Sequence, residues 1–421
     1  MSRREFARLF AMGGSAAILS HQTLLGSKPV RMTDPITTAG KVDWKTIRSQ
    51  FLIPPELTVL NAANLCPSPA PILETVYNYT QRLDSKPVPS YRAEMIEVKE
   101  KTRQELAKYL RVSPEEILIT RNTSESNNWV SNGLDLRAGD EVVIFSDNHP
   151  SNNEAWKERG KRFGFTVNEV PPVNPHPGFD YYLETFKKAL TPRTRVLSFT
   201  HLSNTVGDLF PAKELCRMAR NRGIITLIDG AQSLGLLDVD LSDIQPDFYS
   251  GSAHKWPCGP KETGVLFVNK SIQERFWPSI YSAYKGREGL AQTHEGLGQR
   301  DTPAIHAFGQ QIKFLRKIGQ ENIEERSGNF ATEIIEELQK IKDIYIFTSD
   351  ERALRSAVVT FRPANLEPAK VVKALEEDGI VAANLGGEDW AGVRFSPHFY
   401  NSNNDVERAV GAIRRYSLKG L

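Results

Sequence analysis

The chain is poor in cysteine: Cys66, Cys216 and Cys258 are its only thiols in 421 residues. An odd count without metal-type spacing argues against a disulfide framework and against a zinc site, and leaves buried free thiols as the expectation. No G-x-x-x-x-G-K-[ST] loop occurs, so the cradle that nucleotide-hydrolysing folds use for phosphates is missing. Charge of one sign is lacking too, since 53 Lys and Arg stand against 51 Asp and Glu for a formal net charge of +2. Without a basic tract, nucleic acid is not an expected partner. Internal repeats and low-complexity segments are also absent.

What is present is an enzyme-sized chain, 40% apolar and 25% charged, long enough to bury a large core in two domains. Its first residues depart from that average. Ser2-Arg3-Arg4-Glu5-Phe6 precedes a short apolar run from Leu9 to Leu19 that Gly13-Gly14 interrupts. Paired arginines before a weakly hydrophobic segment resemble a twin-arginine export signal, and the run is too short to span a bilayer as a helix. The resemblance implies the twin-arginine translocation machinery as a partner and a periplasmic location. A cytoplasmic protein with an amphipathic tail is the alternative. Residues 1–35 are read as signal and linker, with the cleavage point open between residues 22 and 40.

From about residue 117 short apolar strands alternate with amphipathic helical stretches, the spacing of βα units around a mostly parallel sheet. Strands are expected at Ile117–Thr120, Glu141–Phe145, Val196–Thr200, Ile224–Ile228, Asp247–Ser250 and Gly264–Val268. Surface helices are expected at Asn152–Phe163 and Ala212–Asn221. Long helices over Asp301–Ile318 and Glu321–Ile341 follow, with strands near Ala357–Phe361 and Gly392–Phe395 and a helix Pro368–Glu377 between them. The division read from this is an N-terminal segment 36–56 packing on the small domain or the cleft, a large α/β domain 57–299, and a small α+β domain 300–421.

Polar clusters sit at the ends of these strands, where open α/β sheets bind ligands. Thr123-Ser124-Glu125 follows a strand and opens a helix, whose first N–H groups suit a phosphate; a plain N-cap reads the same way. His149 lies just past a strand, where an imidazole can stack on an aromatic ring; a loop histidine with no special role is the plainer reading. Asn204 follows the strand ending at Thr200, and its amide can donate to a phenolic oxygen; a turn asparagine is the plainer reading. Asp229 ends an apolar strand, with Gln232 three positions on. Ser252-Ala253-His254-Lys255 then sets a lysine among small and polar residues. A lysine held near an acid at a strand end is what a pyridoxal phosphate enzyme needs, one to form a Schiff base and the other to keep the pyridine nitrogen protonated. Arg394, late in the chain, offers a fork for an α-carboxylate.

Taken together, Thr123-Ser124-Glu125, His149, Asn204, Asp229-x-x-Gln232, Ser252-x-His254-Lys255 and Val393-Arg394-Phe395-Ser396 resemble the class V aminotransferase family of pyridoxal phosphate enzymes. The resemblance covers nearly everything from Leu60 to Arg414. It implies an α/β aspartate aminotransferase-like fold, a large domain with a seven-stranded, mostly parallel sheet plus a smaller α+β domain, and a homodimer. By that resemblance Lys255 is the catalytic Schiff-base lysine. Asp229 pairs with the pyridine nitrogen, Gln232 and Asn204 contact the phenolic oxygen, and His149 stacks on the ring. Thr123, Ser124, Ser252 and His254 line the phosphate, and Arg394 binds the substrate carboxylate.

Three departures stand out. Asn122 occupies a turn where relatives often carry glycine. Gly298-Gln299 replaces a Gly-Thr pair that often reaches the neighbouring subunit's phosphate. Ala383 to Ala391 holds no cysteine where desulfurases place their nucleophile, which disfavours persulfide chemistry. The strings His254-Lys255-Trp256 and Arg394-Phe395-Ser396-Pro397 are closest to the isopenicillin N epimerase-like branch. The expected activity is transamination or epimerisation of an α-amino acid or of an amino-acid moiety of a larger metabolite. A cysteine-free C–S lyase and a non-catalytic binding protein of the same fold are the alternatives.

Overall fold

A computed structural model describes residues 32–37, 40–281, 288–363, 366–386 and 390–421. The expected signal lies outside the described residues, as do positions 387–389 of the cysteine-free segment. Among the described residues no helix is long and apolar enough to cross a membrane.

Among the described residues thirteen strands, numbered along the chain, form three sheets. The large one contains β2 (Ile117–Thr120), β3 (Glu141–Phe145), β4 (Thr166–Val170), β5 (Thr194–Thr200), β6 (Ile225–Asp229), β7 (Phe248–Ser252) and β8 (Gly264–Val268), in the order β2-β8-β7-β6-β5-β3-β4. β4, β3, β5, β6 and β7 run parallel, and β8 pairs antiparallel with both β7 and β2. β2 therefore shares the direction of β7. The carboxyl ends of β2, β3, β5, β6 and β7 consequently open on one edge of the sheet. This direction rule brings polar clusters spread over more than a hundred residues to one place.

The strands read in sequence are all there, four with the bounds expected and four shifted by a residue or two. β4 went unread because it is an edge strand with the mixed run Thr-Val-Asn-Glu-Val, largely open to solvent. β3, β6 and β8 are buried along their whole length, as continuous apolar runs under helices on both faces demand.

The first core joins the sheet to the helices packed on it. The helix Thr302–Ile318, which follows the boundary read at residue 300, puts Ile305, Phe308, Ile312 and Leu315 into this same core. Thr102 Oγ1 donates to Ile305 O at 3.0 Å, and a Cβ on Gly309 would stand 2.5 Å from Thr102 Oγ1, so the helix lies close against Tyr91–Leu110. The second core takes Phe330, Ile334, Ile335 and Leu338 from the helix Gln320–Gln339, whose Ile323 still belongs to the first.

That second core lies under an antiparallel sheet ordered β12 (Ala383–Leu385), β13 (Gly392–Phe395), β10 (Val359–Pro363) and β9 (Ile344–Ile346). A short parallel pair, β1 (Thr58–Val59) with β11 (Ile380–Val381), ties the chain just past the N-terminal segment to it. Alternation along β13 buries Val393 and Phe395 in the core and turns Arg394 to the opposite face, toward the large sheet.

Cys66, Cys216 and Cys258 are free and buried. Burial pushes the Cys216 thiol up to about 12 and raises that of Cys258 as well. Native protein should therefore resist a polar thiol reagent over an hour at pH 8 and release three equivalents only when unfolded. Rapid labelling of any one thiol in the native state would contradict this packing.

Candidate active site

One cavity of about 280 Å3 at the carboxyl edge of the large sheet is lined by all ten residues singled out in the sequence: Thr123, Ser124, His149, Asn204, Asp229, Gln232, Ser252, His254, Lys255 and Arg394. A larger hollow of about 840 Å3, near Trp44 and Arg326, is lined by acids and lysines but, among the described residues, by no hydroxyl side chain.

The end of the cavity expected to take a phosphate is built on the helix Thr123–Gly133. Asn122 caps it, its Oδ1 accepting from Glu125 N at 2.9 Å. Its backbone is extended, with φ −172°, and side-chain capping explains the asparagine. Ser252 Oγ takes the Thr123 N–H at 2.8 Å and lies 2.8 Å from Thr123 Oγ1. With Thr123 N and Glu125 N engaged, Ser124 N is the first-turn donor left over for an anion.

His149 caps the helix Pro150–Phe163, its Nδ1 accepting from Ser151 N at 3.2 Å, with Pro150 at the first helical position. Partial burial and the Lys255 charge lower its pKa. The same two influences, burial first, take His254 down to about 4, so both rings stand neutral near pH 7.

Gln232 is fixed at both ends, since Trp256 Nε1 donates to Oε1 at 2.7 Å and Nε2 donates to Ala63 O at 3.1 Å. An amide nitrogen has two hydrogens, and the second remains for the cavity. Asp229 is buried. Its Oδ2 accepts from Asn127 Nδ2 at 2.9 Å and Asn152 Nδ2 at 3.4 Å, and Oδ1 accepts from Ala231 N at 3.1 Å. Asn127 and Asn152 were not read from the sequence. Asn127 follows Ser124 by one helical turn, and Asn152 precedes the buried Trp156 by another; that spacing was the available signal.

Lys255 is half-buried on the turn after β7, and burial lowers its ammonium to about 8. Arg394 is buried with no carboxylate partner among the described residues. Its NH1 donates to Asn204 O at 2.6 Å and its NH2 to Asn61 Oδ1 at 3.2 Å, while Nε has no partner. Burial brings its guanidinium down to about 10. Asn204 thus meets Arg394 through its carbonyl. Gln299 is exposed, on the turn after Gly298.

The loop carrying Asn204 is held from both domains. Ser203 Oγ accepts from Val206 N, Gly207 N and Asp208 N, at 3.3, 3.1 and 3.2 Å. Thr348 Oγ1 and Thr360 Oγ1 donate to Val206 O and Thr205 O, at 2.7 and 2.5 Å. Gly207 has φ +80°, and a Cβ there would stand 2.4 Å from Val358 O, so only glycine fits. Asp208 closes the loop, 1% exposed with Oδ1 unpartnered, and burial followed by the Asp147 charge raises its carboxyl to about 7. A raised carboxyl favours the folded state below its unfolded pKa and loses that benefit as pH rises through about 7. Asp208→Asn should therefore stabilise at pH 8 by on the order of 1–3 kcal/mol and change little at pH 4, read by urea melts. Equal effects at both pH values would refute the assignment.

The donors fit pyridoxal phosphate. Hydroxyls and a helix N-terminus suit the phosphate, a buried carboxylate suits a ring nitrogen, an amine with a depressed pKa suits the aldehyde, and the unpartnered Arg394 Nε suits a carboxylate. Fold and cavity together define a pyridoxal phosphate-dependent enzyme of the aspartate aminotransferase-like fold. The family model for class V aminotransferases matches residues 59–409, and the chain belongs to that family.

Among curated relatives, isopenicillin N epimerase of Amycolatopsis lactamdurans is 28% identical over 393 residues, covering 89% of this chain and 98% of that one. A probable cysteine desulfurase of Methanothermobacter thermautotrophicus is 27% identical, covering 83% and 92%. In structure, the cysteine desulfurase of Thermococcus onnurineus superposes with a TM-score of 0.81 at 23% identity, over 93% of this chain and all of that one. A C-DES mutant with glycine covalently linked to its PLP cofactor gives 0.80 at 21%, over 87% and 98%. Pyridoxal 5'-phosphate is the cofactor.

Proposed function

We propose that the enzyme acts on an α-amino acid, or on the amino-acid moiety of a larger metabolite, by transamination or epimerisation. The observation that carries this reading is the meeting of Lys255, Asp229 and Arg394 in one cavity. The epimerase relatives, matched over nearly their full length, support it.

Bound pyridoxal phosphate supplies an electron sink that acidifies the α-C–H of an amino acid joined to it. Thr123, Ser124, Ser252 and His254 hold the phosphate end, and His149 covers the ring. Gln232 and Asn204 face the phenolic oxygen, and Asp229 faces the ring nitrogen. Arg394 orients the substrate through its carboxylate. Lys255 Nζ, neutral above about pH 8, takes and returns the α-proton. Transamination and epimerisation share this first proton removal and differ in where the proton goes back.

Desulfurase relatives are as similar as the epimerases, so persulfide chemistry is the competing reading. The sequence gives it no nucleophile between Ala383 and Ala391, and none of the three cysteines lines the cavity. Incubating holoenzyme with amino-acid pools in deuterated buffer separates the outcomes by mass spectrometry. α-Deuteration without keto acid marks epimerisation, and keto acid with pyridoxamine phosphate marks transamination. Sulfide, or pyruvate formed without pyridoxamine phosphate, marks β-elimination and would overturn the proposal.

The same reading includes a homodimer and export through the twin-arginine machinery to the periplasm. Translocation of a reporter fused to residues 1–40 should fail with Arg3→Lys and Arg4→Lys together; undiminished translocation rejects the export reading.

A further inference from the structure

We infer that Asn127 and Asn152 are positioning residues that fix which oxygen of Asp229 is presented to the ring nitrogen and so keep that nitrogen protonated. This rests on the pairing of Asp229 with the ring nitrogen stated above.

Both amides are locked in orientation by a second layer of donors. Ser250 Oγ donates to Asn127 Oδ1 at 2.7 Å. Trp156 Nε1 and Ser198 Oγ each donate to Asn152 Oδ1 at 3.1 Å. An indole nitrogen only donates, so the oxygen of Asn152 must face Trp156 and its nitrogen must face Asp229. Asn127, Asn152, Trp156, Ser198 and Ser250 are each 0% exposed, so water cannot substitute for any of these bonds.

The outcome at Asp229 is asymmetric. Oδ2 accepts two amide N–H groups, whereas Oδ1 accepts only the Ala231 N–H. Oδ1 is thus the oxygen with capacity left toward the cavity. Every protein group bonded to the carboxylate is a donor, and a proton placed on Oδ2 would collide with two N–H groups. The place left for a shared proton is between Oδ1 and the ring nitrogen, where it gives the ring a positive charge. These contacts span the helices after β2 and β3 and the strands β5 and β7, which explains why so much buried polar structure is spent behind one carboxylate.

A readout independent of turnover follows. A positive ring disfavours a second positive charge on the Lys255 nitrogen joined to the cofactor, so the absorbance of the holoenzyme titrates at a lower pH than it otherwise would. His149, His254 and Arg394 also face Lys255 and are unchanged in the variants proposed. Asn127→Ala should raise the titration midpoint by about one pH unit, the equivalent of one hydrogen bond to a charged group. Ser250→Ala, which only frees the Asn127 amide to turn, should raise it by roughly half as much. It carries the test should Asn127→Ala fail to fold by circular dichroism. Wild-type midpoints in Asn127→Ala and Ser250→Ala, alongside a raised midpoint in Asp229→Asn, would overturn this inference alone. An unmoved midpoint in Asp229→Asn would overturn the pairing of Asp229 and this inference with it.

Discussion

Lys255→Ala should leave a folded protein that binds pyridoxal phosphate reversibly, lacks the long-wavelength absorbance of a covalently held cofactor, and turns over about 10³-fold more slowly or less. The side chain stands half-buried at the end of β7, and the turn that carries it is fixed by Cys258 N donating to Lys255 O at 2.8 Å and Gly259 N donating to Ala253 O at 2.7 Å. These are backbone bonds, so truncating the side chain leaves the turn intact. Burial takes the ammonium to about 8 against the opposing pull of Asp229, so a substantial neutral fraction exists near physiological pH. Only the neutral amine attacks an aldehyde. Capture of cofactor by the apoprotein should therefore accelerate as pH rises from 6 toward 9 and level off above that. Stopped-flow absorbance would check this, and a rate that does not vary with pH would reject the assignment.

Arg394→Met should separate function from stability. The guanidinium is 5% exposed with two neutral acceptors and no carboxylate, and burial depresses it to about 10. A depression of that size corresponds to roughly 3 kcal/mol held against the charged form in the folded protein. Methionine removes that cost and leaves Asn204 O and Asn61 Oδ1 without their donors, a loss of about 1 kcal/mol each. The net effect on the apoprotein is a gain of about 1 kcal/mol, while kcat/KM for a carboxylate substrate falls by roughly 10²–10³-fold. A variant that is less stable and equally active would show that Arg394 is a structural residue. The opposite pattern is what a site kept for an anionic ligand predicts.

Much of this was legible in the chain because the chemistry sits where the direction of parallel strands puts it. Apolar runs ending in Asp229 and Thr200, and the Ser252-to-Lys255 string after another, locate residues on one sheet edge before any coordinates exist. Arg394 could be placed by alternation, since Val393 and Phe395 bracket it. What escaped were features set by tertiary context. Asn127 and Asn152 look like polar helix residues until Asp229 is seen between them. Asn61 carries no local signal for its bond to Arg394, because the two meet only through the seam joining β1 and β13 to the N-terminal segment. Nothing local marks the helix Thr302–Ile318 as part of the large domain, and only packing against Tyr91–Leu110 assigns it to the first core.

The most direct test of the central claim is to reduce the yellow holoenzyme with borohydride, digest it, and locate the cofactor adduct by mass spectrometry. The account predicts one stoichiometric adduct, on the peptide carrying Lys255. An adduct on another lysine, or none in protein that has taken up cofactor, would contradict it.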